Sequence, residues 1–430
     1  MIKLFDIRHS RSIPKILEQD RTKNSAAVEL AVTSILRTVR SRGDNALRLY
    51  TRKFDGTNIR ELSVSQKEIT AALKNADRKF VRLLRDAARN IRRYHERQPH
   101  QSWQMAGPSG SSLRQRYTPV ESAGVYVPGG KAAYPSTVLM NVIPARVAGV
   151  SRIALVSPPG KDGRVHPDVL TAAAILGVKE VYRVGGAQAI AALAYGTRSI
   201  APVDVIVGPG NIYVATAKRM VFGTIGIDGI AGPSEVVILA DDSARPDFVA
   251  SDMIAQAEHD ILASSILVTS SARLAKAVQE CIETLMTTLP RRDLIAASLK
   301  RRGAIFIVRN ILHGIELVNE FAPEHLEIIT KNDEAVLKKI RNAGSIFLGN
   351  YSPVALGDYY AGPNHVLPTE RTARFSSPLS VDTFMKKSSV IRYTQKAMKS
   401  AAEKVALFAE REGLNAHALS ARLRRKKNSL

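Results

Sequence analysis

The sequence predicts an α/β fold in which two parallel-sheet layers are flanked by helical segments at both ends. Three observations carry this expectation. Short β-rich apolar runs alternate with helical runs from Gly124 onward, the pattern of strands joined by helical crossovers. A second series of the same kind begins at Glu235. The stretch before Pro99 is instead rich in Ala, Leu, Arg and Lys at helical spacing. A chain of 430 residues has room for two to four domains at roughly 100–200 residues each.

Taken in order, the first series places strands at 125–127, 152–156, 181–184 and 203–207, with helices at 137–150, 167–176, 187–194 and 213–221 between them. The second places strands at 235–239, 265–268, 304–308, 326–329 and 345–348, with helices at 245–259, 272–289 and 333–341. No internal repeat is strong enough to prove duplication. A Gly-, Pro-, Asn- and Ser-containing stretch follows to about 380, and long connections of this type tend to be functional. A helical, Ala-rich segment at 395–425 ends in a basic tail, Arg424 to Lys427, read as a solvated end.

Hydrophobic residues make up 45% and charged residues 23% of the chain, the mix of an ordinary globular protein that buries a large core without staples. The one cysteine, Cys281, excludes an intramolecular disulfide and any cysteine-only metal site. No apolar run reaches the length of about 20 residues that spans a bilayer. The first residues lack the apolar core of a secretory signal. A cytoplasmic enzyme is the expectation. The net charge of +23 raises the question of a polyanionic partner. Arg82, Arg85, Arg89, Arg92, Arg93 and Arg97 recur every three to four residues and stripe one helix face, which is read as a solvated face.

Three Gly-containing turns close predicted strands and open helices: Val127-Pro128-Gly129-Gly130-Lys131, Gly185-Gly186-Ala187-Gln188 and Gly208-Pro209-Gly210-Asn211. None has P-loop or G-x-G-x-x-G spacing. Together, at the carboxyl ends of one sheet, they suggest a ligand crevice with anion-binding helix starts; the competing reading is that glycine simply permits a tight turn. Of nine histidines, four stand near acidic or amide side chains. Gln256 and His259 are three apart on a predicted helix and share a face. Glu324 and His325 are adjacent at a strand start, Asp358 and His365 lie in the long Gly-rich stretch, and Glu412 and His417 lie in the last helical segment. Such donors suit a metal such as zinc. The absence of H-E-x-x-H argues against a zincin protease, and for each histidine alone a hydrogen-bonded structural role competes with ligation.

Five separated motifs go further. Gly232-Pro233-Ser234-Glu235-Val236, Gln256-Ala257-Glu258-His259-Asp260 and Phe321-Ala322-Pro323-Glu324-His325-Leu326 resemble the histidinol dehydrogenase family. So do Gly357-Asp358-Tyr359 with Asn364-His365-Val366-Leu367-Pro368-Thr369, and Glu412-Gly413-Leu414-Asn415-Ala416-His417. The resemblance runs from about Asp6 to Arg422. It implies oxidation of L-histidinol to L-histidine through the aldehyde, with two NAD+ and one zinc per subunit, in an intertwined homodimer with a shared active site. It implies Gln256, His259, Asp358 and His417 as zinc ligands, and Glu324 and His325 as the acid/base pair. It implies substrate contacts from these residues together with Ser234, His365 and Glu412, and NAD contacts from Tyr126, Gln188 and Asn211.

On this reading the fold is two Rossmann-like parallel-sheet domains with extensions. Residues 1–25 form an N-terminal extension. Residues 26–120 with 231–375 form a first α/β domain bearing the zinc and catalytic residues. Residues 121–230 form a second bearing the NAD turns, and 376–430 form a C-terminal helical extension that contributes to the dimer and the active site. Zinc would polarise the substrate hydroxyl and His325 would take its proton. Because Cys281 lies away from every motif, the second oxidation is expected to use a water adduct, with Glu324 activating the water, rather than a thiohemiacetal. Two other readings are a relative acting on another small alcohol, which the presence of His365 and Glu412 disfavours, and a basic nucleic-acid binder. The latter predicts steeply salt-dependent binding, but no nucleic-acid motif is present, the charges are dispersed, and neither nucleic-acid nor membrane binding is expected.

Overall fold

The computed structural model describes residues 2–9, 25–129 and 133–425. Most of the expected N-terminal extension, Gly130 and Lys131 of the first turn, and Lys426 and Lys427 of the tail lie outside the described residues. Two compact units divide the chain: 1–98 with 120–384, and 99–119 with 385–430.

The larger unit contains both expected parallel sheets. In the five-stranded sheet the order is Glu180–Arg183, Arg152–Ser157, Ser122–Tyr126, Val205–Val207, Gly226–Ile227, every neighbouring pair parallel. The first strand in sequence thus lies in the middle, and the order reverses beside it, between Ser122–Tyr126 and Val205–Val207. Side chains alternate between two cores because strand residues point to opposite faces. Val125, Ile153 and Leu155 enter one core, while Tyr126, Ala154 and Val156 enter the other.

The six-stranded sheet runs Lys3–Asp6, Gly303–Ile307, Ser264–Thr269, Glu235–Ala240, His325–Ile329, Ser345–Leu348, again all parallel. Helices cover both faces. Pro246–Ala257, Ala272–Met286 and Arg292–Arg302 share one core, and Ile311–Phe321 packs on the other side. The helices at 292–302 and 311–321 were not among the expected elements.

The grouping of segments differs from the expected one at three places. Lys3–Asp6 is a strand paired with Gly303–Ile307, not part of a helical extension. Helices Ser25–Arg42, Asp44–Phe54, Gln66–Asn75 and Arg78–His95 pack on the five-stranded sheet rather than with 231–375. Their apolar stripes, including Val32, Leu36 and Leu47 on one face and Ile69, Leu84 and Ile91 on the other, complete the cores of residues 121–207. Residues 103–106 and 385–392 both pair with 112–119 instead of joining either parallel sheet. The Arg stripe falls on helix Arg78–His95 and just past it, and all six of its side chains are exposed.

The smaller unit is a three-stranded antiparallel sheet, ordered Met385–Arg392, Ser112–Pro119, Trp103–Ala106, with two helices. Gln395–Arg411 and Asn415–Leu423 are separated by Gly413, whose φ of 76° is the left-handed conformation that ends helices. They pack through Ala406, Ala409, Ala418 and Ala421. Small residues permit this close approach but bury little area.

Candidate active site

Glu324 and His325 sit at the amino end of strand His325–Ile329, beside the amino end of Glu235–Ala240. Both side chains are buried. One carboxylate oxygen of Glu324, Oε2, accepts from Ser234 Oγ at 2.8 Å and from the Glu235 amide at 2.8 Å. His325 Nδ1 lies 3.1 Å from the Glu235 carbonyl. A carbonyl can only accept, so Nδ1 carries the proton and Nε2 is left as the basic nitrogen. That Nε2 is buried without a hydrogen-bond partner and stands 3.7 Å from Asp358 Oδ1. Burial pulls the His325 pKa down, but the Glu324 and Asp358 carboxylates outweigh it and hold the value well above the ordinary imidazole range.

Asp358 lies in the last turn of the short helix Val354–Tyr359. Burial pushes its carboxyl up, yet His325 reverses this, with His365 and His259 adding to the field, and the net pKa is lowered. His365 Nδ1 donates to the Asp358 carbonyl at 2.9 Å, and Thr137 Oγ1 approaches its Nε2 at 3.4 Å. Burial lowers the His365 pKa, so this imidazole is neutral at pH 7. Glu235 itself is pushed up to about 8, first by burial and then by the adjacent Glu324 charge.

A cavity of about 580 Å³ is lined by Asp252, Gln256, Glu258, His259 and Asp358, among others. Gln256 lies in the last turn of helix Pro246–Ala257, and His259 follows its C-cap, Glu258. The side chain of Gln256 is buried with its amide nitrogen unpartnered. An unpartnered buried amide on a cavity wall leaves room for a ligand. Among the described residues no group of three or more His, Cys, Asp or Glu side chains could hold a metal by itself. His259 and Asp358 supply two such donors here and Gln256 an amide oxygen, so this set fits a cation only if a further donor completes it.

The three glycine turns do lie at carboxyl ends of the five-stranded sheet. Gly208 has a φ of 110°, and a Cβ there would meet the Tyr126 carbonyl oxygen at 2.2 Å, so only glycine fits. Gly186 opens helix Gly186–Tyr195, and its amide donates to the Tyr126 hydroxyl at 3.1 Å. Burial pushes that hydroxyl up to about 12, so it remains protonated. Gln188 is buried with its side-chain oxygen unpartnered. Asn211 caps helix Ile212–Val221, accepting from the amides of Tyr213 and Val214 at 3.0 and 3.2 Å. Its side-chain NH₂ is not used by these bonds. Helix starts, a backbone cradle and an unpartnered buried amide at the reversal of strand order suit a dinucleotide.

A family model described as histidinol dehydrogenase matches residues 18–425. The chain belongs to the histidinol dehydrogenase family. It is 52% identical over 426 residues to histidinol dehydrogenase from Geobacillus kaustophilus, covering 99% of this chain and all of that one. It is 55% identical over 398 residues to the Bacillus subtilis protein of the same name, covering 93% of each. A crystal structure of histidinol dehydrogenase from Elizabethkingia anophelis superposes with a TM-score of 0.92 at 35% identity, covering 98% of both chains. Membership makes the chain an oxidoreductase, and the α/β class read from the sequence holds.

Within that family frame, the structure brings most of the sequence-derived residues together. Ser234, Glu324, His325, Asp358 and His365 form one chain of contacts. Gln256, His259 and Asp358 line one cavity. Tyr126, Gln188 and Asn211 cluster at the other sheet. Glu412 and His417 are exposed residues of the smaller unit. Sequence reasoning missed Glu235, Asp252 and Glu327. Glu327 had a signal: it is a lone acid in the apolar run Leu326-Glu327-Ile328-Ile329, two residues from His325 and so on the same strand face. Asp252 had one too, four residues before Gln256 and seven before His259.

Proposed function

We propose that the chain oxidises L-histidinol to L-histidine through the aldehyde, using two NAD+, in the last steps of histidine biosynthesis. The observation that carries this, beside the family membership, is His325: a buried imidazole whose Nδ1–H is tied to a backbone carbonyl while Nε2 stands without a partner. The carboxylates beside it make this nitrogen strongly basic, and in its neutral form it accepts the hydroxyl proton.

We assign Gln256, His259 and Asp358 to hold zinc, with His417 completing the set. Zinc, when bound, supplies a Lewis acid that eases loss of the hydroxyl proton and fixes the substrate. Tyr126, Gln188, Asn211 and the helix starts beside them hold NAD+, the hydride acceptor. His325 Nε2 takes the hydroxyl proton in the first oxidation. In the second, Glu324 takes a proton from water as it adds to the aldehyde, and His325 accepts the proton of the resulting adduct. Ser234 and the Glu235 amide fix one oxygen of Glu324, leaving Oε1 for that transfer. Cys281 lies in helix Ala272–Met286 against the hydrophobic core, which supports a water adduct rather than a thiohemiacetal. Neutral His365 and Glu412 contact the imidazole and amine of the substrate.

A homodimer with a shared active site completes the proposal. In the single chain the smaller unit exposes Trp103, Ile391, Leu407, Phe408 and Leu419, each at least half accessible. Apolar residues exposed together mark an interaction surface, and a second copy is the proposed cover. No helix among the described residues is long and apolar enough to cross a membrane, which supports the cytoplasmic assignment. Limiting L-histidinol should yield two NADH per molecule and end as L-histidine. One NADH with accumulated aldehyde would overturn the reading.

A further inference from the structure

We propose that Glu327 is a positioning residue: through one carboxyl group it ties together the three elements that carry His325, the Gln256–His259 pair and Asp358. This rests on the proposed reading of the site. Glu327 and His325 occupy the same face of strand His325–Ile329. Glu327 Oε1 accepts at 3.0 Å from the amide of Val354, the first residue of the helix whose last turn carries Asp358. Asp252 is the neighbouring acid whose charge Glu327 feels, and it stands one turn before Gln256 on helix Pro246–Ala257.

The contact with Asp252 explains an oddity. Glu327 Oε2 is buried with no donor to satisfy it. Two facing carboxylates cannot hydrogen-bond to each other unless one is protonated, so a bond between Glu327 and Asp252 requires one shared proton. Burial, and then the neighbouring Asp252 charge, raise the Glu327 pKa well above the carboxylate range, and burial lifts Asp252 to about 6. The His325 imidazole works in the opposite direction. One proton would then close a bond between strand and helix. Asp252 also lines the cavity, so the link reaches the wall that the substrate meets.

Glutamine can replace the acid here. Its NH₂ donates to Asp252 without a shared proton, and its carbonyl still accepts from Val354. Leucine has similar volume and makes neither bond. Groups that orient the residues around a metal typically change metal affinity or activity 10–100-fold. Glu327→Leu should therefore lower kcat on L-histidinol by about that range, and should lose zinc to a chromophoric chelator at a correspondingly lower chelator concentration. NADH binding at the five-stranded sheet and the circular dichroism spectrum should stay as in the wild type. Glu327→Gln should remain within about threefold in both readouts, a rescue that a simple packing role would not produce. Wild-type kcat and zinc retention in Glu327→Leu would overturn the proposal, as would a Glu327→Gln protein as impaired as Glu327→Leu. Should Glu327→Leu fail to fold, Asp252→Ala cuts the same bond from the cavity side: the same losses support the proposal and a wild-type profile overturns it. A wild-type enzyme inert toward L-histidinol would instead strike the proposed function, while the zinc titration would still test the positioning role.

Discussion

The two parallel sheets carry their polar residues at opposite ends. In the five-stranded sheet, Tyr126, Gly186 and Gly208 lie at or just beyond the carboxyl ends of strands, where helices Gly186–Tyr195 and Ile212–Val221 begin. In the six-stranded sheet, Ser234, Glu235, Glu324 and His325 lie at the amino ends, where helix Pro246–Ala257 finishes. Helix starts carry about half a positive charge and helix ends about half a negative one. The first site therefore offers backbone N–H groups and positive potential, suited to a pyrophosphate. The second offers carboxylates, imidazoles and a negative helix end, suited to a cation and to proton transfer. Ligands of open α/β sheets usually bind at carboxyl ends; the six-stranded sheet gathers its buried acids and imidazoles at the other end.

The comparison breaks most visibly at the acid/base pair. His325→Asn should impair both oxidations, by about 10²–10⁴-fold, the usual contribution of such groups. Glu324→Gln keeps the bonds from Ser234 and Glu235 but cannot take a proton from water. It should slow oxidation of supplied L-histidinal more than oxidation of L-histidinol to the aldehyde. Equal loss on both substrates would remove the division of labour.

The metal end gives the next largest effect. His259→Asn and His417→Asn should each be nearly inactive, with His259→Asn also low in zinc by elemental analysis, since each lacks one ligand at every site. If His417 serves the neighbouring subunit, mixing the two proteins restores one intact site in each mixed dimer. Random re-assortment makes about half the dimers mixed, so about a quarter of wild-type activity should return. Verified subunit exchange without recovery would assign His417 to its own chain or to no site.

At the five-stranded sheet the same logic predicts damage through backbone. Gly208→Ala forces a Cβ onto the Tyr126 carbonyl in a conformation that costs a non-glycine residue about 1–3 kcal/mol. The KM for NAD+ should rise roughly tenfold, with zinc content unchanged. Loss of zinc instead would mean that the two sites are not built independently.

What the sequence made legible follows from this contrast. The runs 153–156 and 236–240 are uninterruptedly apolar, and among the turn glycines Gly186 and Gly208 take the left-handed φ that favours glycine. Motifs such as Phe321-Ala322-Pro323-Glu324-His325-Leu326 are contiguous in the chain. The partner of helix Arg78–His95 was not legible. Its stripe of Leu84, Ala87 and Ile91 specifies that a core exists, not which sheet supplies it, since burial is non-directional. The antiparallel sheet was hidden for a related reason. Met385–Arg392 is almost wholly exposed, so no alternation of apolar and polar residues marks its register. Glu327 and Asp252 stayed hidden because their meeting is a tertiary event, 75 residues apart in the chain.

The smallest expected effect tests whether unpaired buried acids belong only to the six-stranded sheet. Asp55 follows helix Asp44–Phe54 on the other sheet's side of the molecule. Its Oδ2 is buried with no partner, and burial raises its pKa from 3.8 to about 6. The folded state thus holds the Asp55 proton more tightly than the unfolded chain does. Its contribution to stability is intact below about pH 4, falls as pH rises from 4 to 6, and stays lost above that. Asp55 also raises the Tyr126 hydroxyl through its charge, so the carboxylate is close enough to be felt at the nucleotide turns. Solvent reaches the group, so the stability difference should be only about 1 kcal/mol. Asp55→Asn should gain roughly that at pH 7 in urea unfolding and nothing at pH 4. A mutant that is destabilised at pH 7, or equally stabilised at both pH values, would show that Asp55 has a partner in solution and that the buried unpaired acids are confined to the catalytic sheet.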